Sequence, residues 1–275
     1  MIDIHSLLRS AIIIMTPILF AAAGGLLPAL AGTLNIALEG LLLTGAFTAL
    51  FVYYRTSSVV LAVLFAAGAS LLLSAAHALT TFKLRANVFI TGLAVNLFAF
   101  GLCVVLSGLL FNTRGVVTVR EISLDYRWFT IIALVFLALS WIVIYKTPYG
   151  YRLRACEKHS GELFSLGVNP QFYQITALLI SGVFCGIGGS FLSLHLGAFV
   201  SGMSSGRGWI ALVIIFIGGR KPQGIFAAAF VYALVEAFSN RAQGLWSIPA
   251  DFVLALPYVF ILAAMILQKA LPKVK

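Results

Sequence analysis

Glu39, Asn96, Arg207 and Glu236 stand within or beside long apolar runs, where a charged or amide group must find a partner or a wet cavity. Glu39 has two readings. It lines or gates a pathway beside an interrupted stretch, or it is a first-turn residue stabilised by a helix dipole with Asn35 as the N-cap. The capping arrangement suffices by itself, so a structural role is expected ahead of solute contact. Asn96 lies in mid-run, with Thr91 five residues before it and Ser107 eleven after it. It either contacts solute or joins two helices, and the residues favour neither. Arg207, between Gly206 and Gly208, faces an external mouth or holds a broken helix, unless it is a snorkelling interfacial arginine. Glu236 is placed to pair with Arg241 at a helix end, a local contact of little energy.

The chemistry that is missing narrows the function as much. There is no Gly-x-x-x-x-Gly-Lys-Ser/Thr loop to cradle ATP phosphates. No His-Glu-x-x-His or paired cysteines suggest a metal, and Cys103, Cys156 and Cys185 are scattered. His5, His77, His159 and His195 are isolated, and no two groups are spaced as a catalytic pair. Membrane carboxylates are too few for a typical proton-driven pump. The expectation is a non-enzyme that binds no metal or cofactor itself and takes its energy from a partner.

The elements that position these residues are membrane helices. Of 275 residues, 61% are hydrophobic and 9% charged, against about a quarter charged in soluble domains. Nine apolar stretches run at 6–27, 37–54, 58–79, 88–111, 128–146, 174–197, 208–219, 224–239 and 251–269. The expectation is an all-α integral membrane protein of about nine transmembrane helices, one transmembrane domain over 1–275. Residues 28–35 are too apolar for an aqueous loop and too broken for a straight helix, so protein or a wet cavity must surround them. The seventh and eighth stretches are short for spans and read as tilted helices or half-helices. Asn35–Phe51 and Gly206–Gly218 share a small or polar break launching an apolar helix, in opposite directions by charge count: a weak inverted repeat. Gly182, Gly186 and Gly189 are helix-packing glycines, the first two in Gly-x-x-x-Gly spacing.

The net charge of +10 follows from basic residues held on one side of a bilayer, not from nucleic-acid binding. Lys83, Arg85, Lys146, Arg152, Arg154, Lys158, Arg220, Lys221, Lys269, Lys273 and Lys275 alternate to share the cytoplasmic side. Arg9, Arg55, Arg114, Arg120, Arg127, Arg207 and Arg241 fall outside. The N-terminus is then external and the C-terminus cytoplasmic. Residues 112–127 outside and 147–173 inside are long enough to meet partners.

The run Thr147-Pro-Tyr-Gly-Tyr-Arg-Leu-Arg-Ala-Cys-Glu157, with Gly161 and Leu166-Gly-Val-Asn169, resembles the coupling segment of ABC importer permeases. Ser181–Gly189, Gly202–Ala211, Phe216–Gly219 with Pro222, Leu34–Gly40, Gly45–Phe47 and Thr91–Asn96 extend the likeness over roughly 24–240. Together they resemble sugar and nucleoside permeases of the ribose and branched-chain amino-acid type, nearest the nucleoside branch. The resemblance implies a bacterial cytoplasmic (inner) membrane protein that translocates nucleosides or simple sugars. It implies a second permease subunit, often non-identical, and an ABC ATPase, often with two fused domains, which binds the ATP and Mg. It also implies an external substrate-binding lipoprotein that delivers solute. A coupling helix would span about Ala155–Leu166 within 147–173, with Gly150 and Gly167 as flanking turns and Arg152, Arg154 and Glu157 making polar contacts; Gly161 and Leu166 belong to the same motif. Cys156, where a small aliphatic residue is usual, and Ser160-Gly161-Glu162, where alanines are usual, depart from the pattern. The competing reading is a standalone secondary transporter or channel for a small polar solute.

Overall fold

The structure, a computed structural model, describes residues 4–113, 115–119, 122, 124–245 and 259. Its helices are α1 (Ile4–Leu30), α2 (Leu38–Thr56), α3 (Val59–Ala78, running into a π-helical turn at Leu79–Lys83), α4 (Val88–Phe111), α5 (Tyr126–Lys146), α6 (Pro148–Ala155), α7 (Ser160–Ser165), α8 (Pro170–Leu196), α9 (Arg207–Ile217) and α10 (Pro222–Leu245). Polar side chains start several of them: Ser58, Asn87, Asp125, Thr147 and Asn169 each accept an N–H from the first turn that follows. Pro148 and Pro170 sit where a missing N–H costs nothing.

Six described helices are long and apolar enough to cross a membrane: Ile4–Leu30, Val59–Lys83, Val88–Phe111, Tyr126–Lys146, Pro170–Leu196 and Pro222–Ala242. The expected count of about nine is not reached among the described residues: α2, from the second stretch, is a 19-residue helix outside this set. The ninth stretch, 251–269, lies outside the described residues except for 259. The eighth is a full-length helix, α10, running from Pro222 to Leu245. The seventh is short, as α9. The first helix carries on through Pro28, so the interruption falls at residues 31–37. Two three-residue strands also form, β1 (Val116–Thr118) and β2 (Ala198–Val200), paired antiparallel with Val117 opposite Phe199. This ribbon joins the α4–α5 loop to the segment leading into α9.

Burial is centred on α1, α2 and α8, while α3, α4 and α5 present apolar side chains outward; Leu97 is 75% and Leu72 73% exposed. Outward leucines on this scale are matched by hydrocarbon, not water. Missing side chains draw the centre together. A Cβ on Gly186 would lie 2.5 Å from the Ala66 carbonyl oxygen, one on Gly189 2.1 Å from that of Leu42, and one on Gly182 2.6 Å from Ser74 Cβ. Ser70 and Ser74 of α3 donate to the carbonyls of Leu41 (2.8 Å) and Leu178 (2.7 Å), tying α3 to α2 and α8.

The packing is reciprocal between halves. α8 lies against α2 and α3, and α1 lies against α9 and α10. α1 and α8 have 27 residues each, and each is followed by a non-helical segment and then the helix that starts at the centre.

Candidate functional site

The chain breaks after α1 at Gly32, whose φ of +78° favours a residue without Cβ. Carbonyls freed there find side chains from distant helices. Gln174 Nε2 donates to Ala31 O at 3.1 Å, and Arg220 Nη1 reaches Ala29 O at 3.4 Å. Asn35, fully buried, accepts the Ala37 N–H at 3.1 Å and donates through Nδ2 to Ser181 Oγ at 2.9 Å. It is therefore not the N-cap of α2, which begins two residues later than that reading needs.

Asn96 of α4 does the capping from outside. Its Oδ1 accepts the Gly40 N–H at 2.8 Å and its Nδ2 donates to Ile36 O at 2.9 Å. One amide thus satisfies a donor and an acceptor that the break leaves over. Its observed bonds join helices.

Glu39 lies in the first turn of α2, but its carboxylate serves α9. Oε1 accepts the Gly206 N–H at 2.8 Å and Oε2 the Gly208 N–H at 2.7 Å. Such charge-assisted bonds at a helix N-terminus answer both the orphan donors and the dipole. Gly206, at φ +80°, turns the chain into α9. Two helices therefore begin face to face, one held by Asn96 and one by Glu39.

Arg207 is held close to its own backbone, with Nη1 donating to Met203 O (3.2 Å) and Ser204 O (3.3 Å). Its Nη2 stands 3.9 Å from Glu236 Oε1 on α10. Glu236 thus faces Arg207, where Arg241 was expected; Arg241 donates to Ser6 Oγ of α1. α9 has 11 residues, about 16 Å of helix, roughly half a hydrocarbon core. Its far end reaches Arg220, which meets Glu157 of the 147–173 loop.

Asn35, Glu39, Asn96 and Arg207 thus converge where α2 and α9 start. Beside them Phe100 approaches Gly202, and Phe100 and Trp209 are partly open. A cleft of about 440 Å³ between α3 and α4 is lined by Thr44 and Thr48 of α2.

The 147–173 loop is two helices, not one over 155–166. α6 is packed inward. Leu153 is fully buried, and a Cβ on Gly150 would lie 2.2 Å from the Val143 carbonyl oxygen, so Gly150 is a packing residue and not a turn. Arg152 donates to Tyr173 Oη at 3.1 Å. Arg154 donates to Gly150 O at 3.3 Å with its guanidinium over Tyr145 and Tyr151. Ala155 packs on the core. Burial raises the Cys156 thiol and the Tyr149 phenol above their ordinary pKa values. Glu157 Oε1 lies 2.6 Å from Arg220 Nη1. Residues 156–159 turn the chain outward, and α7 then presents Phe164 (73% exposed) and, at its end, Leu166 (78%). Gly161 has open space around it, and Gly167, at φ +75°, closes the helix. The expected set is thereby divided: Gly161, Leu166 and Gly167 go with the outward helix, the others with the packed one.

Gln174, Ser181, Gly206, Gly208 and Arg220 carry this site and were not singled out for it by sequence. Gln174 and Ser181, seven apart on one helix face, were the available signal.

The description "Branched-chain amino acid transport system / permease component" belongs to the family model that matches residues 7–267. The nucleoside ABC transporter permease protein NupC of Lactococcus lactis subsp. cremoris is 29% identical, over 96% of this chain and 93% of its own. The guanosine ABC transporter permease protein NupQ of Bacillus subtilis is 26% identical, over 93% and 89%. A putative glucose ABC transporter permease protein, TsgC13 of Haloferax volcanii, is 27% identical, over 87% and 78%. No solved structure matches the chain.

Proposed function

The chain belongs to the family of branched-chain amino acid transport system permease components, and we propose that it forms half of a nucleoside pathway worked by a partner ATPase. It is a multi-pass membrane permease subunit of an ABC importer. The observation that carries the nucleoside assignment is likeness along nearly the whole chain to permeases named for nucleosides and guanosine. Simple sugars are the second reading, favoured by the putative glucose permease.

In this reading solute passes where the starts of α2 and α9 oppose each other. The ionic groups there are already engaged: Glu39 by two N–H donors, Arg207 by carbonyls and Glu236. Helix starts whose ionic groups are engaged in this way suit an uncharged solute, and Phe100 and Trp209 offer faces for a base. The α7 helix, with Phe164 and Leu166 outward, is the segment that docks in the ATPase. The α6 helix is its rigid mount. The loop 147–173 and the C-terminus are cytoplasmic, the N-terminus external. A second permease subunit of different sequence completes the pathway, and an external lipoprotein supplies solute.

The test is uptake of labelled guanosine, adenosine and glucose by proteoliposomes. Vesicles with this chain alone are compared with vesicles holding the second permease, ATPase and receptor. Uptake of nucleoside only in the complete, ATP-supplied set supports the reading. Uptake by the chain alone would establish a standalone transporter instead.

A further inference from the structure

α9 is held at both ends by elements distant from it in sequence. At its start the Glu39 carboxylate holds the N–H groups of Gly206 and Gly208. The segment before it is paired to β1 through β2 and closed by the Met203 N–H on Val200 O at 2.9 Å. At its end Arg220, at φ +55°, donates its N–H back to Ile215 O at 2.9 Å, so the residue is part of the helix terminus. The guanidinium of Arg220 leaves that terminus to meet Glu157 at 2.6 Å and Ala29 O at 3.4 Å. Glu157 stands two residues past the end of α6, and its Cα abuts Gly32, where a Cβ would lie 3.0 Å away. One arginine thus gathers the outward loop, the end of α1 and the end of α9.

An 11-residue hydrogen-bonded helix moves as a unit, because bending it breaks backbone bonds. A displacement of residues 156–159 acting on Arg220 would then reach the other end of α9, where the Glu39 carboxylate of α2 holds it to the break. We propose that α9 is the rod that carries motion of the 147–173 loop to the opposed helix starts, and that the Glu157–Arg220 pair is the contact that positions it. This rests on the importer reading above. Glu157 and Arg220 are positioning residues; neither is asked to touch solute.

The three native cysteines are buried, so a fluorophore can be placed by Ser205→Cys, at an exposed residue just before α9. The complete transporter carrying that label is given a non-hydrolysable ATP analogue, and the emission change is read before any solute is added. Glu157→Gln, Arg220→Ala and the double variant are compared, with co-purification of the ATPase as the check on assembly. The proposal expects an ATP-dependent change that each single variant reduces about tenfold, an ordinary allosteric coupling size. The double variant should fall no further than the singles, since all remove one contact. Arg220→Lys, which keeps the charge, should restore part of the response. An unchanged response in either single variant, a double variant that loses the product of the two, loss of ATPase co-purification, or no response in the parent would each overturn it. A parent response without nucleoside uptake would leave the rod standing and sink the solute assignment instead.

Discussion

Gly208 and Glu39 occupy the same few cubic ångströms: the Gly208 N–H bonds Glu39 Oε2 at 2.7 Å, and a Cβ on Gly208 would come within 2.4 Å of the Glu39 backbone nitrogen. The opposed helix starts can be this close because the second has no side chain there. Gly208→Ala must push α9 off α2 and lengthen both carboxylate bonds. We expect about 1–3 kcal/mol of destabilisation, the usual scale for overpacking, and loss of uptake. Gly101→Ala, in open space, should melt like the parent. Thermal melts of the purified permease check both; a parent-like Gly208→Ala would refute the packing argument.

Glu39→Gln keeps the shape and removes the charge. One oxygen still accepts an N–H, but the new NH₂ faces a second donor where Oε2 had accepted. The loss should be about 2 kcal/mol, the scale of a hydrogen bond to a charged group. Glu39→Asp, shorter by one carbon, should fail at least as badly despite its charge, because two amides must be reached at 2.8 and 2.7 Å. Better melting or uptake for Asp than for Gln would show that charge, not reach, is what matters.

The spans of this protein were readable because apolar runs are long and polar residues inside them are rare enough to stand out. Glu39, Asn96 and Arg207 were visible for that reason, as groups that needed partners. Their partners were not visible. Gly206 N–H, Gly208 N–H and Ile36 O are backbone groups, which every residue has, and Glu39 finds its pair 167 and 169 residues away. Asn35 shows the opposite error. A local N-cap was the economical reading, but the helix starts later and Asn96 caps it across 56 residues. The 147–173 loop was located by motif, yet its division at 156–159 depends on Cys156 burying against Pro170 O and on Glu157 meeting Arg220, both tertiary contacts.

Asn96→Asp separates two roles that Asn96→Ala merges. Alanine leaves the Gly40 N–H and the Ile36 carbonyl without their amide, at about 1–3 kcal/mol for buried groups. Aspartate still accepts from Gly40, but sets an anionic oxygen against Ile36 O, 2.9 Å from the atom it replaces. The expected order of melting temperature is parent above alanine, with aspartate at or below alanine. Aspartate melting above alanine would mean that the Ile36 bond contributes nothing to holding the break.

Cys156 gives the protein an alkaline weakness. Its thiol is 3% exposed and sits against Arg152 O at 3.1 Å, and burial raises its pKa above the ordinary 9.0. The folded value lies above the unfolded one, so the thiol form's contribution is complete below about pH 9 and is lost as pH rises through the folded value. Melting should therefore be level through neutral pH and fall in the alkaline range. Cys156→Ser, which does not ionise there, should fall less steeply, even if its starting point is lower. Maleimide should label the native protein slowly at this site and quickly after unfolding, since the thiolate is the reactive form. Parallel alkaline slopes for parent and Cys156→Ser, together with rapid native labelling, would place the thiol in water and remove the buried joint between α6 and α8.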